Sequence, residues 1–216
     1  MTTTQVRRSA AETRARVLEV AAGLFYTDGI RATGVDRVAA AAGVAPTTLY
    51  RLFASKDDLI AAYLEDGRAH YLAWLDRGLG ATGSPGERLL AAFDEQAAAA
   101  RSEGFRGCPF LMALAEFPDP AHPAHATAVR TKAEVRDRLR AVVDELGTGD
   151  PDGLTDRLLL VMEGVYATIQ AFGPGGPAAQ ARPVAELILG AGSPPERPSD
   201  QKVSAASRRR GRRPAR

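Results

Sequence analysis

Between residues 33 and 58 the chain reads TGVDRVAAAAGVAPTTLYRLFASKDD, and the side chains there that could act on another molecule are hydroxyls, a phenol and cations. The set is Thr33, Arg37, Thr47, Thr48, Tyr50, Arg51 and Lys56. Arginine pairs bidentately with a guanine edge, and threonine offers both a hydroxyl and a methyl group to bases, so the chemistry on offer is the reading of a DNA groove. Thr47 and Arg51 lie four apart, which on a helix puts them on one face, with Thr48 and Tyr50 flanking them.

Two short helical patterns must carry these groups. In the first, residues 35–42, a 100° step gathers Val35, Val38, Ala39 and Ala42 on one face and leaves Arg37 opposite. Thr33 is the expected N-cap, with Asp36 complementing the helix dipole, and Gly43 is the expected stop because glycine enters the left-handed conformation cheaply. Pro46 suits the first turn of the next helix, where its missing N–H costs nothing. That second helix turns Leu49, Leu52 and Phe53 inward and its polar side chains outward, the helix-turn-helix arrangement that lays its second helix in a major groove about 12 Å wide. The same geometry also occurs as ordinary helical packing, so spacing alone leaves the DNA reading open.

The neighbouring sequence adds weight. Residues 11–27 form an amphipathic pattern with Val17, Leu18, Ala21, Leu24 and Phe25 on one side, the third helix such a unit needs to close its core. Ser55-Lys56-Asp57-Asp58 is a Ser-x-x-Asp capping box, placing Lys56 at a helix start where a phosphate also fits. The run Ala21-Ala22-Gly23-Leu24-Phe25, then Gly29, Thr33, Val35, Val38-Ala39, Ala42-Gly43-Val44, Thr48-Leu49-Tyr50-Arg51-Leu52-Phe53, Ser55-Lys56 and Leu59 resembles the N-terminal domain of TetR-type transcriptional regulators. The resemblance implies phosphate contacts for Tyr50 and Lys56, and groove-facing roles for Thr47, Thr48 and Arg51. Ala45 departs from it, because many relatives carry serine there.

Charge is unevenly placed. Residues 1–60 carry eight Lys/Arg against six Asp/Glu, residues 61–200 thirteen against twenty, and residues 201–216 seven against none. The acidic middle argues against a wide nucleic-acid surface there and confines DNA contact to the N-terminal part. Residues 193–216, Pro-rich and then Arg-rich with no apolar face, read as a disordered basic tail. A lone cysteine, Cys108, forms no intrachain disulfide, which suits a reducing compartment. No apolar run approaches the roughly twenty residues of a membrane span, and the N-terminus lacks a signal-peptide stretch; the expected location is the cytoplasm.

The middle of the chain reads as helices over about 55–79, 85–102, 109–116, 124–146, 154–172 and 179–189, separated by Gly- and Pro-rich breaks. The expected fold is all-α: an N-terminal three-helix DNA-binding domain (1–56) before a larger helical effector-binding and dimerisation bundle (57–192), about nine helices in total. Residues 154–170 are apolar over more than one stripe, so Leu158, Met162, Val165 and Ile169, together with Leu187, are the candidate dimer contacts. Aromatic and methionine side chains are scattered over the middle helices, Tyr63 and Phe105 among them. The candidate lining of an effector cavity is Tyr71, Trp74, Phe93, Phe110, Met112, Phe117, Met162 and Tyr166.

Other residues admit further readings. His122 and His125 with Asp119 and Glu116 sit in a Pro-broken loop without a cysteine pattern, so no metal site is assigned. Cys108 beside Pro109 and Phe110 reads as buried rather than redox-active. No GxSxG, GxxxxGK[ST] or HExxH motif is present, and no cofactor is expected. The expectation is a homodimeric repressor on a palindromic operator, released by a small-molecule effector. The alternatives are an effector-free DNA-binding activator or architectural protein, and, more remotely, a helical enzyme.

Overall fold

The computed structural model describes residues 9–102 and 104–192; the basic tail expected at 193–216 lies outside them. The described residues form nine α-helices and no strand: α1 Ala10–Asp28, α2 Val35–Ala42, α3 Pro46–Leu52, α4 Lys56–Leu79, α5 Pro85–Ala99, α6 Pro109–Glu116, α7 Pro123–Asp144, α8 Pro151–Phe172 and α9 Ala181–Gly192.

Local signals start and stop most of these helices. Ser9 and Glu12 form a reciprocal capping box on α1, as Ser84 and Glu87 do on α5. Gly43 ends α2 at φ 68°, ψ 37°, and the amides of Gly43 and Val44 return to the carbonyls of Ala40 and Ala39, closing the turn that aims α3. Ser55 caps α4 by accepting the Asp58 N–H, while the Asp58 carboxylate accepts the Ser55 hydroxyl at 2.8 Å.

Some boundaries differ from expectation. The N-cap of α2 is Gly34, not Thr33: Thr33 is fully buried and its hydroxyl donates backward to the Gly29 carbonyl at 2.8 Å. Helix α8 starts earlier than expected because Asp150 caps it and Pro151 takes the first helical position. Helix α5 stops at Ala99, and α9 is led by a 3-10 turn, Pro177–Gln180, that leaves Pro183 in the first helical turn, where no N–H is needed.

Helices α1 to α3 close around Val17, Ala21, Phe25, Val38, Leu49 and Phe53, all buried. Helix α4, about 36 Å long at 1.5 Å per residue, joins this unit to the rest. Its first turns contribute Leu59, Ile60 and Tyr63, and Tyr63 meets Phe25 edge-on with ring centroids 5.5 Å apart. Farther along, α4 packs on α5 and α7. At Gly78 the backbone of α5 comes so close that a β-carbon would lie 2.5 Å from the Ala92 Cα, so only glycine fits. Arg68 and Arg138 bridge α4 and α7 by pairing with Glu134 and Asp76. Helices α7, α8 and α9 complete the bundle.

Candidate functional site

The outer face of α3 carries Thr47, Tyr50 and Arg51, all exposed, with Thr48 half-buried beside them; Tyr50 is 48% exposed despite its ring. Leu49 beneath them is fully buried and anchors the helix. Ala45 precedes α3 without a side-chain cap, as its methyl group dictates. Lys56 opens α4, and its ammonium donates to the Arg31 carbonyl at 3.3 Å. Arg37 stands exposed on α2, paired with Asp28 at 2.6 Å. Thr33 is removed from the candidate surface, because burial leaves its hydroxyl nothing outside the chain to touch.

Two links hold this unit against the later helices. The Glu116 carboxylate, at the end of α6, accepts the backbone N–H of Ile30 at 2.9 Å and of Arg31 at 2.6 Å, and the Arg31 guanidinium lies over the Phe117 ring. The Tyr26 hydroxyl on α1 donates to the Gly107 carbonyl at 2.8 Å and accepts the Arg106 N–H at 2.7 Å. Sequence reasoning missed both. The available signal was an aromatic on the face of α1 turned away from Val17, Ala21 and Phe25.

Beside these links lies a cavity of about 430 Å³. Ala22, Gly23 and Tyr26 of α1 form one wall, and Tyr63, Asp66, Gly67, His70, Tyr71 and Trp74 of α4 another. Ala99, Phe105, Gly107, Pro109 and Tyr166 close it. Of the eight expected lining residues, Tyr71, Trp74 and Tyr166 are there. The other five are not: Phe93, Phe110 and Met162 are packed fully inside the core, Phe117 stacks on His122, and Met112 is half-buried elsewhere on α6. Behind the aromatic wall, Lys132 pairs with Glu163 at 2.7 Å and lies over the rings of Tyr71 and Tyr166. Burial pushes the phenols of Tyr26, Tyr63, Tyr71 and Tyr166 upward, so all four stay protonated at neutral pH. Burial likewise raises the Cys108 thiol.

The expected dimer contacts also need correction. Leu158, Met162, Val165 and Ile169 are buried within their own chain, because α8 turns that stripe toward its neighbouring helices. Only Leu187 of the five is exposed, at 74%, and the open apolar stripe of α8 instead runs through Leu160, 72% exposed, Gly164 and Ala167. No group of histidine, cysteine, aspartate and glutamate among the described residues could hold a metal ion.

This arrangement has counterparts among known proteins. The sequence model of the family described as bacterial regulatory proteins, tetR family, matches residues 17–63, which run from α1 through the first two turns of α4. The crystal structure of SCO4454, a TetR-family transcriptional regulator from Streptomyces coelicolor, superposes with a TM-score of 0.83 at 34% identity, covering 87% of this chain and 93% of that one. The chain belongs to the TetR family of transcriptional regulators. It is similar as well to the HTH-type transcriptional regulator YjdC of Escherichia coli K12, 26% identical over 70% of this chain and 80% of YjdC. The HTH-type transcriptional repressor KstR2 of Mycobacterium tuberculosis H37Rv is 38% identical over 37% of this chain and 40% of its own length.

As a TetR-family member the chain is a DNA-binding regulator of transcription and not an enzyme. The all-α fold, with its N-terminal helix-turn-helix unit and helical bundle, is the one expected from the sequence. Among the described residues no helix is long and apolar enough to cross a membrane.

Proposed function

We propose that this TetR-family regulator is a homodimeric repressor that a small molecule releases from a palindromic operator, acting in the cytoplasm. Its division of labour is a DNA-binding unit over residues 1–56 and an effector and dimerisation unit over 57–192, with the start of α4 serving both. The observation that carries the reading is the shared wall of the cavity: α1 belongs to the DNA-binding unit, α4 leads out of it, and both line one space with Tyr166 of α8. An occupant of that space therefore touches the element that orients α3. The repressor sense has the support of KstR2, which bears that name.

In this reading Thr47, Thr48 and Arg51 read base edges, while Arg37, Tyr50 and Lys56 engage phosphates. Two copies joined through Leu160, Gly164, Val184 and Leu187 present two recognition helices to half-sites about 34 Å apart. Switching cleanly from bound to free requires the effector to favour the released conformation by about 5.5 kcal/mol. The test is a gel shift of the full chain on the DNA upstream of its own gene, titrated with the small-molecule fraction of the host cell. Retardation that the fraction reverses is the expected outcome. Retardation that no fraction reverses would remove the effector from the scheme.

A further inference from the structure

The polarity of the cavity walls sets what they accept. Six aromatic residues, Tyr26, Tyr63, Tyr71, Trp74, Phe105 and Tyr166, line the space. Tyr26 uses its hydroxyl on both Arg106 and Gly107. The Tyr71 and Tyr166 side chains are both buried.

The two signs of charge meet different surroundings. An organic cation finds the π-faces of Tyr71 and Tyr166 and the Asp66 carboxylate, and the Lys132 ammonium 5.3 and 5.4 Å from those ring centroids is already paired with Glu163. An anion would approach the Glu163 carboxylate, whose second oxygen is buried and unpartnered, and would pass Asp66 at the mouth. Lys132 offers it little, being held by Glu163 at 2.7 Å. An anion would give up its hydration with no partner to replace it, whereas apolar rings lose nothing on entering such walls.

We propose that the cavity selects a largely apolar ring compound and discriminates against the anionic version of the same skeleton. This rests on the reading of the cavity as the effector site, and it names the class of effector.

The protein carries its own reporter. Trp74 is the only tryptophan in the chain and lines the cavity, so ligand entry changes its fluorescence. Three biphenyl probes of matched skeleton, biphenyl-4-methanol, biphenyl-4-acetate and biphenyl-4-methylammonium, are titrated into the full chain. The neutral alcohol is expected to bind at least about tenfold tighter than the acetate. Gly23 lines the space and a β-carbon there meets nothing within 4 Å; Gly23→Leu should weaken the alcohol by about tenfold, with the thermal midpoint as the control for folding. Equal or tighter binding of the acetate, no binding of any probe, or a Gly23→Leu variant that binds the alcohol unchanged would overturn the proposal. The wild-type charge preference stands as a test even if that variant folds poorly. A gel shift with the alcohol is scored separately: binding without DNA release would sink the effector reading and leave the selectivity intact.

Discussion

Arg51 and Lys56 sit five residues apart and have different surroundings, which separates their expected contributions. Arg51 is exposed on α3 in the last turn of a seven-residue helix, free to reach a base edge. Arg51→Ala should cost about 1–3 kcal/mol on the preferred operator and relax preference at one position per half-site, as read by competition binding over single-base variants. Lys56→Ala should instead weaken all sequences alike and lower the slope of affinity against salt. Cys108 belongs at this scale too. Its thiol is buried and pushed up by desolvation, so iodoacetamide should alkylate the native chain at least about tenfold more slowly than the urea-unfolded chain. Residue types in the recognition segment were legible from sequence because their helix faces follow from spacing. Thr33 was not: a threonine before a helix is a good cap by composition, yet packing drew it inside and handed the cap position to Gly34.

At the level of elements, what matters is how the helix-turn-helix unit is fixed to the bundle. Glu116 of α6 satisfies two backbone amides of the α1–α2 connection, one of them belonging to the buried Ile30. Glu116→Ala leaves that amide unmet and should lower unfolding free energy by about 1–3 kcal/mol, with faster hydrogen exchange at Ile30 as the local sign. The α4–α7 pairing makes a pH prediction. The Arg68 guanidinium, hydrogen-bonded at 2.7 Å, holds the Glu134 carboxyl below the usual glutamate range. A lowered folded pKa means that the stabilisation is present above the unfolded value of about 4.3 and is lost as pH falls through the folded value. Urea midpoints of Arg68→Met should therefore approach those of the native chain as pH drops below about 4.3; a constant gap down to pH 2 would show that the pair contributes nothing through ionisation. Helix limits set by Ser, Gly and Pro were readable in sequence, since caps are local. These two cross-links join residues 85 or 86 and 66 positions apart, and no local pattern encodes them.

For the molecule as a whole, the proposed dimer rests on an apolar surface divided between α8 and α9. Leu160→Glu and Leu187→Glu together should convert a dimer to a monomer by light scattering, and operator binding should fall with it, because a single recognition helix engages only one half-site. The sequence by itself determined the helical class, the helix-turn-helix unit, its inward anchors and the polar outer face of α3, all of which follow from helical period, capping residues and turn glycines acting over a few positions. Only the tertiary structure decided which of several apolar stripes on α8 is covered, turning Leu158 and Met162 inward and leaving Leu160 outside. It also chose three of eight proposed side chains for the cavity and added Tyr26 from the DNA-binding unit. The physical reason is common to both: an apolar residue on a helix is equally suited to core, cavity or interface, and the choice among them belongs to the helices packed against it.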